Sequence, residues 1–154
     1  MAATVSKGFL QSFKAALTDI DTVAMEPLGA IRNTDNAVYK YVKFSGTTAH
    51  VVGDPVGYVL TDLSGQTVDG ASGTIGAGVV VAPVIASGTV QFGWIQIGGV
   101  CTVNNVTAAS AGLELKMAAT KTLVAKAAAT DPALGINLTI LAGASGPVFL
   151  IAPY

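Results

Sequence analysis

Between Asp69 and Glu114 the chain carries no charged residue and no histidine: Gly70 to Leu113 is 44 consecutive residues without Asp, Glu, Lys, Arg or His. Within that window Val, Ile, Phe and Trp alternate, cut by Gly, Ser-Gly and Asn-Asn. A catalytic domain usually places acids, bases or metal ligands along its central strands, and this window offers only the thiol of Cys101. The feature points to a protein that works by packing, through backbone and apolar surface. Charged residues make up 11% of the 154 positions and hydrophobic residues 51%, against a usual charged fraction of roughly 25%. So few charges leave apolar surface for partners to cover.

A mean hydropathy of +0.61 raises the question of a membrane. The longest run without a polar side chain is Ile75 to Ala86, twelve residues broken by Gly76, Gly78 and Pro83. A spanning helix needs about 20, so no membrane partner is expected. Net charge is −1, and the cations fall in two groups, Lys7, Lys14, Arg32, Lys40 and Lys43, then Lys116, Lys121 and Lys126. Without a basic stripe to meet phosphates, nucleic acid is not expected as a partner either. Cys101 is alone, in Val-Cys-Thr-Val, and reads as a small buried hydrophobe. Met1-Ala-Ala-Thr-Val lacks a basic stretch leading into an apolar one, so no signal peptide is read there.

Phe9, Phe13 and Leu17 recur at four-residue spacing, with Lys7, Gln11 and Lys14 elsewhere on the wheel and Ser6 placed to cap. That pattern predicts a short amphipathic helix over 6–18. Asp19 to Asn36, with Pro27, Gly29 and Asn33-Thr-Asp-Asn36, reads as irregular. Residues 1–36 are therefore expected to form an arm with a short helix, and 37–154 a β domain. From Ala37 the texture is that of strands: Val38 to Phe44, Thr89 to Val103, Ile136 to Ile140 and Val148 to Ile151. Turn signals fall at Gly53-Asp-Pro55, Ser64-Gly65, Asp69-Gly70, Ser87-Gly88 and Asn104-Asn105. The expected fold is all-β: a compact β-barrel, β-tulip-like or sandwich domain. After Trp94 the apolar residues switch parity to Ile95 and Ile97, which fits a bulge near Gly93–Trp94 or a strand buried on both faces. The Ala-rich stretch 108–129 favours helix by propensity. However, Leu113, Leu115 and Met117 alternate with Glu114 and Lys116, and two short strands joined near Ala119–Thr120 are expected.

Candidates for chemistry are few. His50 is the one histidine and has no metal-ligating partner close in sequence. A Cys101–His50 nucleophile pair is arithmetically possible, but no third orienting group or oxyanion signature accompanies it. Asp54, Asp62 and Asp69 each sit beside a turn residue, where Asp side chains tighten turns. Gly73-Thr-Ile-Gly76-Ala-Gly78 precedes a strand instead of following one, the reverse of a dinucleotide loop. Asn105-Val-Thr and Asn137-Leu-Thr match a glycosylation acceptor by chance. No enzyme activity and no cofactor or metal site are expected.

Three fragments carry a resemblance: Glu26-Pro-Leu-Gly29 followed by Tyr39-Lys-Tyr-Val-Lys43, Gln91-Phe-Gly-Trp-Ile-Gln-Ile-Gly98, and Pro132-Ala-Leu-Gly-Ile136. As ordered short fragments they resemble segments of the decoration, or cement, proteins of tailed-bacteriophage heads, from about residue 26 to the end. The resemblance implies a β-barrel or β-tulip domain that binds the outer surface of an icosahedral capsid. It also implies a homotrimer that braces the major capsid protein on the virion exterior and is made in the bacterial host cytoplasm. It carries no catalytic residues. Because such proteins contact capsid through termini and loops, the expected interface residues are Phe9, Phe13, Leu17, Pro27, Leu28, Ile31 and Arg32. The alternative is a head-fibre base or a glycan-binding virion module.

Overall fold

The computed structural model describes residues 13–45, 47–59, 66–68, 75–107, 110–118, 121–127, 133–139 and 145–151. Eleven strands are present among them, and no helix: β1 (Ile20–Asp21), β2 (Ile31–Asn33), β3 (Ala37–Phe44), β4 (Pro55–Val59), β5 (Gln66–Val68), β6 (Ile75–Val80), β7 (Gln91–Val103), β8 (Glu114–Met117), β9 (Leu123–Ala125), β10 (Gly135–Asn137) and β11 (Gly146–Ile151). The all-β expectation is met. All the strands belong to one sheet, ordered β2-β3-β5-β4-β6-β7-β11-β10-β8-β9, with β1 on β7 and a further pairing of β3 with β7. Every pair is antiparallel except β3 with β5.

The thirteen-residue β7 organises the sheet. One edge pairs with β3 from Gln91 to Gly99. The other edge meets β1 at Phe92 and Gly93, β6 at Ile95 and Gln96, and β11 from Gly98 to Val103. Between β3 and β7 the register shifts where Val38 faces Gly98 and Tyr39 faces Gln96, leaving Ile97 as the extra residue. Ile95, Ile97 and Val103 point into the main core and Trp94 to the opposite face, so the strand is buried on both sides along its first half.

The main core gathers Val42 and Phe44 from β3, Val56 and Tyr58 from β4, Ala77 and Val79 from β6, and Ile95 and Ile97 from β7. It continues without a break into Leu115, Leu123, Leu134, Val148 and Leu150 of the later strands. Gly76 lies under the Tyr58 ring: a Cβ there would stand 2.3 Å from Tyr58 Cζ. The glycines of the 73–78 motif that fall in β6 thus serve close packing between paired strands. The expected pair of strands in the Ala-rich stretch forms as β8 and β9, with Leu115 and Leu123 fully buried.

Three expectations change. Residues 13–18, the described part of the helix expected over 6–18, run through bends and turns. The backbone groups a helix would pair internally are taken by other residues. The Glu26 carboxylate accepts the amides of Lys14 and Ala15, and the Ala15 carbonyl accepts Trp94 Nε1–H at 3.3 Å. In β10 the apolar pattern is inverted. Asn137 is fully buried and donates to the carbonyls of Ser110 and Thr139, while Leu138 is exposed. Residues 20–21 and 31–33, within the expected arm, are strands of the same sheet as the rest.

Candidate interaction surface

Alternation along β11 sends Val148 and Leu150 inward and leaves Pro147, Phe149 and Ile151 facing out. The run is apolar on both parities, so the outward face is apolar too. Pairing aligns Phe149 with Val100 of β7 on one side and Ile136 of β10 on the other. A second row joins Thr102 to Pro147 and, through a Leu138 N–H to Pro147 carbonyl bond of 3.2 Å, to Leu138. Val100 is 57% exposed, Leu138 44%, Phe149 41% and Ile151 40%. Neighbours within a row lie about 4.8 Å apart and successive rows on one face about 6.7 Å, so these side chains form a single apolar patch. The Phe149 row ends at Glu114, paired with Ile136. The Glu114 carboxylate is bound by Lys126 Nζ at 2.8 Å, so the rim carries a neutralised pair. Apolar centre and polar rim are the anatomy of a protein–protein contact.

The other half of the outward face of β7 is covered by the chain itself. Trp94 and Tyr41 are fully buried, ring centroids 5.1 Å apart, and Phe13 meets Trp94 edge-on at 5.3 Å. Leu17 and Leu28 pack into the same cluster, and the Arg32 guanidinium lies 5.2 Å from the Phe13 ring centroid. The Tyr41 hydroxyl accepts the Met25 amide at 3.2 Å. Ile31 packs on the main core and Pro27 is exposed at a turn. Phe9 lies outside the described residues. Of the residues expected at a partner interface, Phe13, Leu17, Leu28 and Arg32 are therefore brought together, with their apolar surfaces occupied by β3 and β7.

A polar knot joins four loops. Asp54 is 3% exposed. Its carboxylate accepts the Val51 amide at 3.1 Å and Asn104 Nδ2 at 3.2 Å, and lies 3.4 Å from Lys121 Nζ. Asn104 Nδ2 also donates to the Val52 carbonyl at 2.8 Å, and Asn104 Oδ1 accepts the Ser145 hydroxyl at 2.9 Å. Lys121 Nζ donates to the Ala49 carbonyl as well. Asp54 is thus more than a turn residue. Asp62 and Asp69 lie outside the described residues.

His50 is buried, bridged through its backbone to Val84 and tilted against the Phe44 ring at 5.9 Å. Burial pushes the Cys101 thiol up to about 12, so it stays protonated at neutral pH and is a poor nucleophile. Among the described residues no three of His, Cys, Asp and Glu gather as metal ligands, and no helix is long and apolar enough to cross a membrane.

The exposed patch went unnoticed in the sequence because β11 reads simply as a closing strand. Its signal was there, in an apolar run without alternation, Pro147-Val-Phe-Leu-Ile151. Comparison with protein-family models, with curated proteins and with solved structures gives no match.

Proposed function

We propose that the chain is a structural virion protein that binds the outer surface of an icosahedral phage capsid and stabilises contacts between major capsid protein subunits. In this reading it self-associates as a homotrimer, catalyses no reaction and needs no cofactor. The observation that carries the reading is the patch of Val100, Ile136, Leu138, Pro147, Phe149 and Ile151. It is apolar, contiguous and rimmed by a neutralised ion pair. Each Å² of it covered by a partner contributes about 25 cal/mol before association costs. A symmetric shell repeats the contact many times, so modest single contacts accumulate into a strong brace. The ordered likeness of residues 26–43, 91–98 and 132–136 to head decoration proteins supplies the capsid as partner.

The fold fits that proposal. β3, β5, β4, β6 and β7 each have two neighbours among themselves, a circuit we read as a small barrel with β8 to β11 flanking it. The segment from Phe13 to Arg32, folded onto β3 and β7, presents Pro27 at an exposed turn as a second contact. A glycan-binding module is the weaker reading, since Trp94 and Tyr41, the rings best suited to stack on a sugar, are fully buried.

The test mixes purified protein with expanded, undecorated shells and follows shell disruption against temperature. Binding with a raised disruption temperature is expected. Free protein alongside shells of unchanged stability would overturn the proposal.

A further inference from the structure

We propose that Lys121 and Asn104 become joined by an intramolecular isopeptide bond, with Asp54 carrying the protons between them. The bond needs four groups in one place: an amine, a carboxamide carbon, a proton carrier touching both, and a donor at the amide oxygen. All four are present. Asp54 spans the two reactants, one carboxylate oxygen 3.4 Å from Lys121 Nζ and the other 3.2 Å from Asn104 Nδ2. The Ser145 hydroxyl donates to Asn104 Oδ1 at 2.9 Å, where negative charge develops as the amine adds. The Val52 carbonyl fixes the second Nδ2 hydrogen at 2.8 Å, so the amide can face only one way.

The backbone holds both reactants in place. Lys121 has φ 60° and Asn105, next to Asn104, has φ 54°. Left-handed conformations at non-glycine residues are uncommon and persist where the surroundings impose them. Here the surroundings are hydrogen bonds from the Asn104 amide to the Gly53 carbonyl at 2.8 Å and from the Leu123 amide to the Asn105 carbonyl at 3.1 Å. Fixing both partners this way converts an encounter into a unimolecular step. A plain ion pair between Asp54 and Lys121 would need neither the oriented amide nor the hydroxyl on its oxygen.

The step balances as follows. The Lys121 ammonium passes one proton to the Asp54 carboxylate. The free amine attacks Asn104 Cγ and forms the new C–N bond. Asp54 hands its proton to Nδ2 as the old C–N bond breaks and takes up the second amine proton. The departing ammonia leaves as ammonium, carrying that proton and restoring the carboxylate. Nothing is oxidised, and the protein loses one positive charge.

Intact-mass measurement on the purified full chain tests this. The expected mass is lower than the sequence requires by one ammonia. A tryptic digest should show no cleavage after Lys121 and one branched species joining the peptides that hold Asn104 and Lys121. The mapping matters because a succinimide at Asn104 sheds the same ammonia within one peptide. Lys121→Arg is expected to restore the full mass. Asn104→Asp keeps the chemistry and is expected to lose a water in place of ammonia at the same pair, which guards against a variant that simply misfolds. An unmodified mass, with tryptic cleavage after Lys121 and, in a separate unfolded sample, an amine open to acetylation there, would overturn the proposal. So would a bond that forms equally well in Asp54→Asn.

Discussion

At Gly99 the chain has no choice of side chain. Its φ is +87°, and a Cβ would stand 2.1 Å from the Asn36 carbonyl oxygen, a backbone atom with nowhere to go. Gly99→Ala is expected to cost about 1–3 kcal/mol, read as a lowered urea midpoint with unchanged slope. Titration gives a second residue-scale expectation. Burial raises Tyr58 and Tyr41 above 10.0. Below that pH both folded and unfolded chains keep these phenol protons, and the two groups contribute no slope. Above it the unfolded chain releases them first and binds fewer protons, so stability falls as pH rises. Lys40, lowered from 10.5 by burial beneath the Tyr58 ring, acts in the opposite sense. Between its folded value and 10.5 the unfolded state binds more protons, and stability gains. Past 10.5 that gain is complete and the phenol slope remains. Denaturation curves at rising pH should therefore show stability declining beyond 10.5, with tyrosinate absorbance from Tyr41 and Tyr58 appearing only as the chain unfolds. Cys101, held protonated, should resist thiol reagents at pH 8 in the native protein and react fully in denaturant.

At the scale of elements, the N-terminal segment is held by the backbone pairing of β1 with β7 and β2 with β3, and by side chains: Phe13 on Trp94, Arg32 on Phe13, Glu26 on two amides. Phe13→Ala should cost about 1–3 kcal/mol, less than the 3–5 of a fully buried Phe because Phe13 is half-buried. It should also shift Trp94 emission to the red as the ring loses its cover. An unchanged spectrum would mean that the segment does not depend on Phe13. This segment also marks where the sequence could and could not be read. Strands with a clear alternation were legible, namely Val38 to Phe44, the long β7, and Leu115 and Met117 with their return at Leu123, whereas β4, broken by Pro55 and Gly57, was not. β1 and β2 were not, because two or three residues have no period to detect. The four-residue spacing of Phe9, Phe13 and Leu17 fits a helical wheel. No local pattern reveals that Glu26 and Trp94, far along the chain, claim the backbone groups of residues 14 and 15. Asn137 misled for the same reason, since its burial depends on Ser110, which sequence alone does not place beside it. The scarcity of charge pointed to an interface. Which face is left apolar and exposed required the register of β7, β11 and β10.

For the whole molecule, the prediction concerns assembly. Val100→Asp with Phe149→Asp places two charges in the centre of the exposed patch. Both residues are already substantially in water, so the unfolding temperature should stay within a few degrees of the parent. Sedimentation should show the self-associated form lost, and binding to shells should fall with it. If the double variant assembles and binds as the parent does, the patch is not the contact.

The length of β7 also bears on how a load travels. A push on the Phe149 face enters the β11 ladder and passes directly into a strand that β3 grips along its opposite edge from Gln91 to Gly99. Tension along that axis must slide many hydrogen bonds at once, whereas tension across it would unzip them singly. Pulled from its two ends along that strand axis, the protein is therefore expected to resist a higher force than when pulled across it.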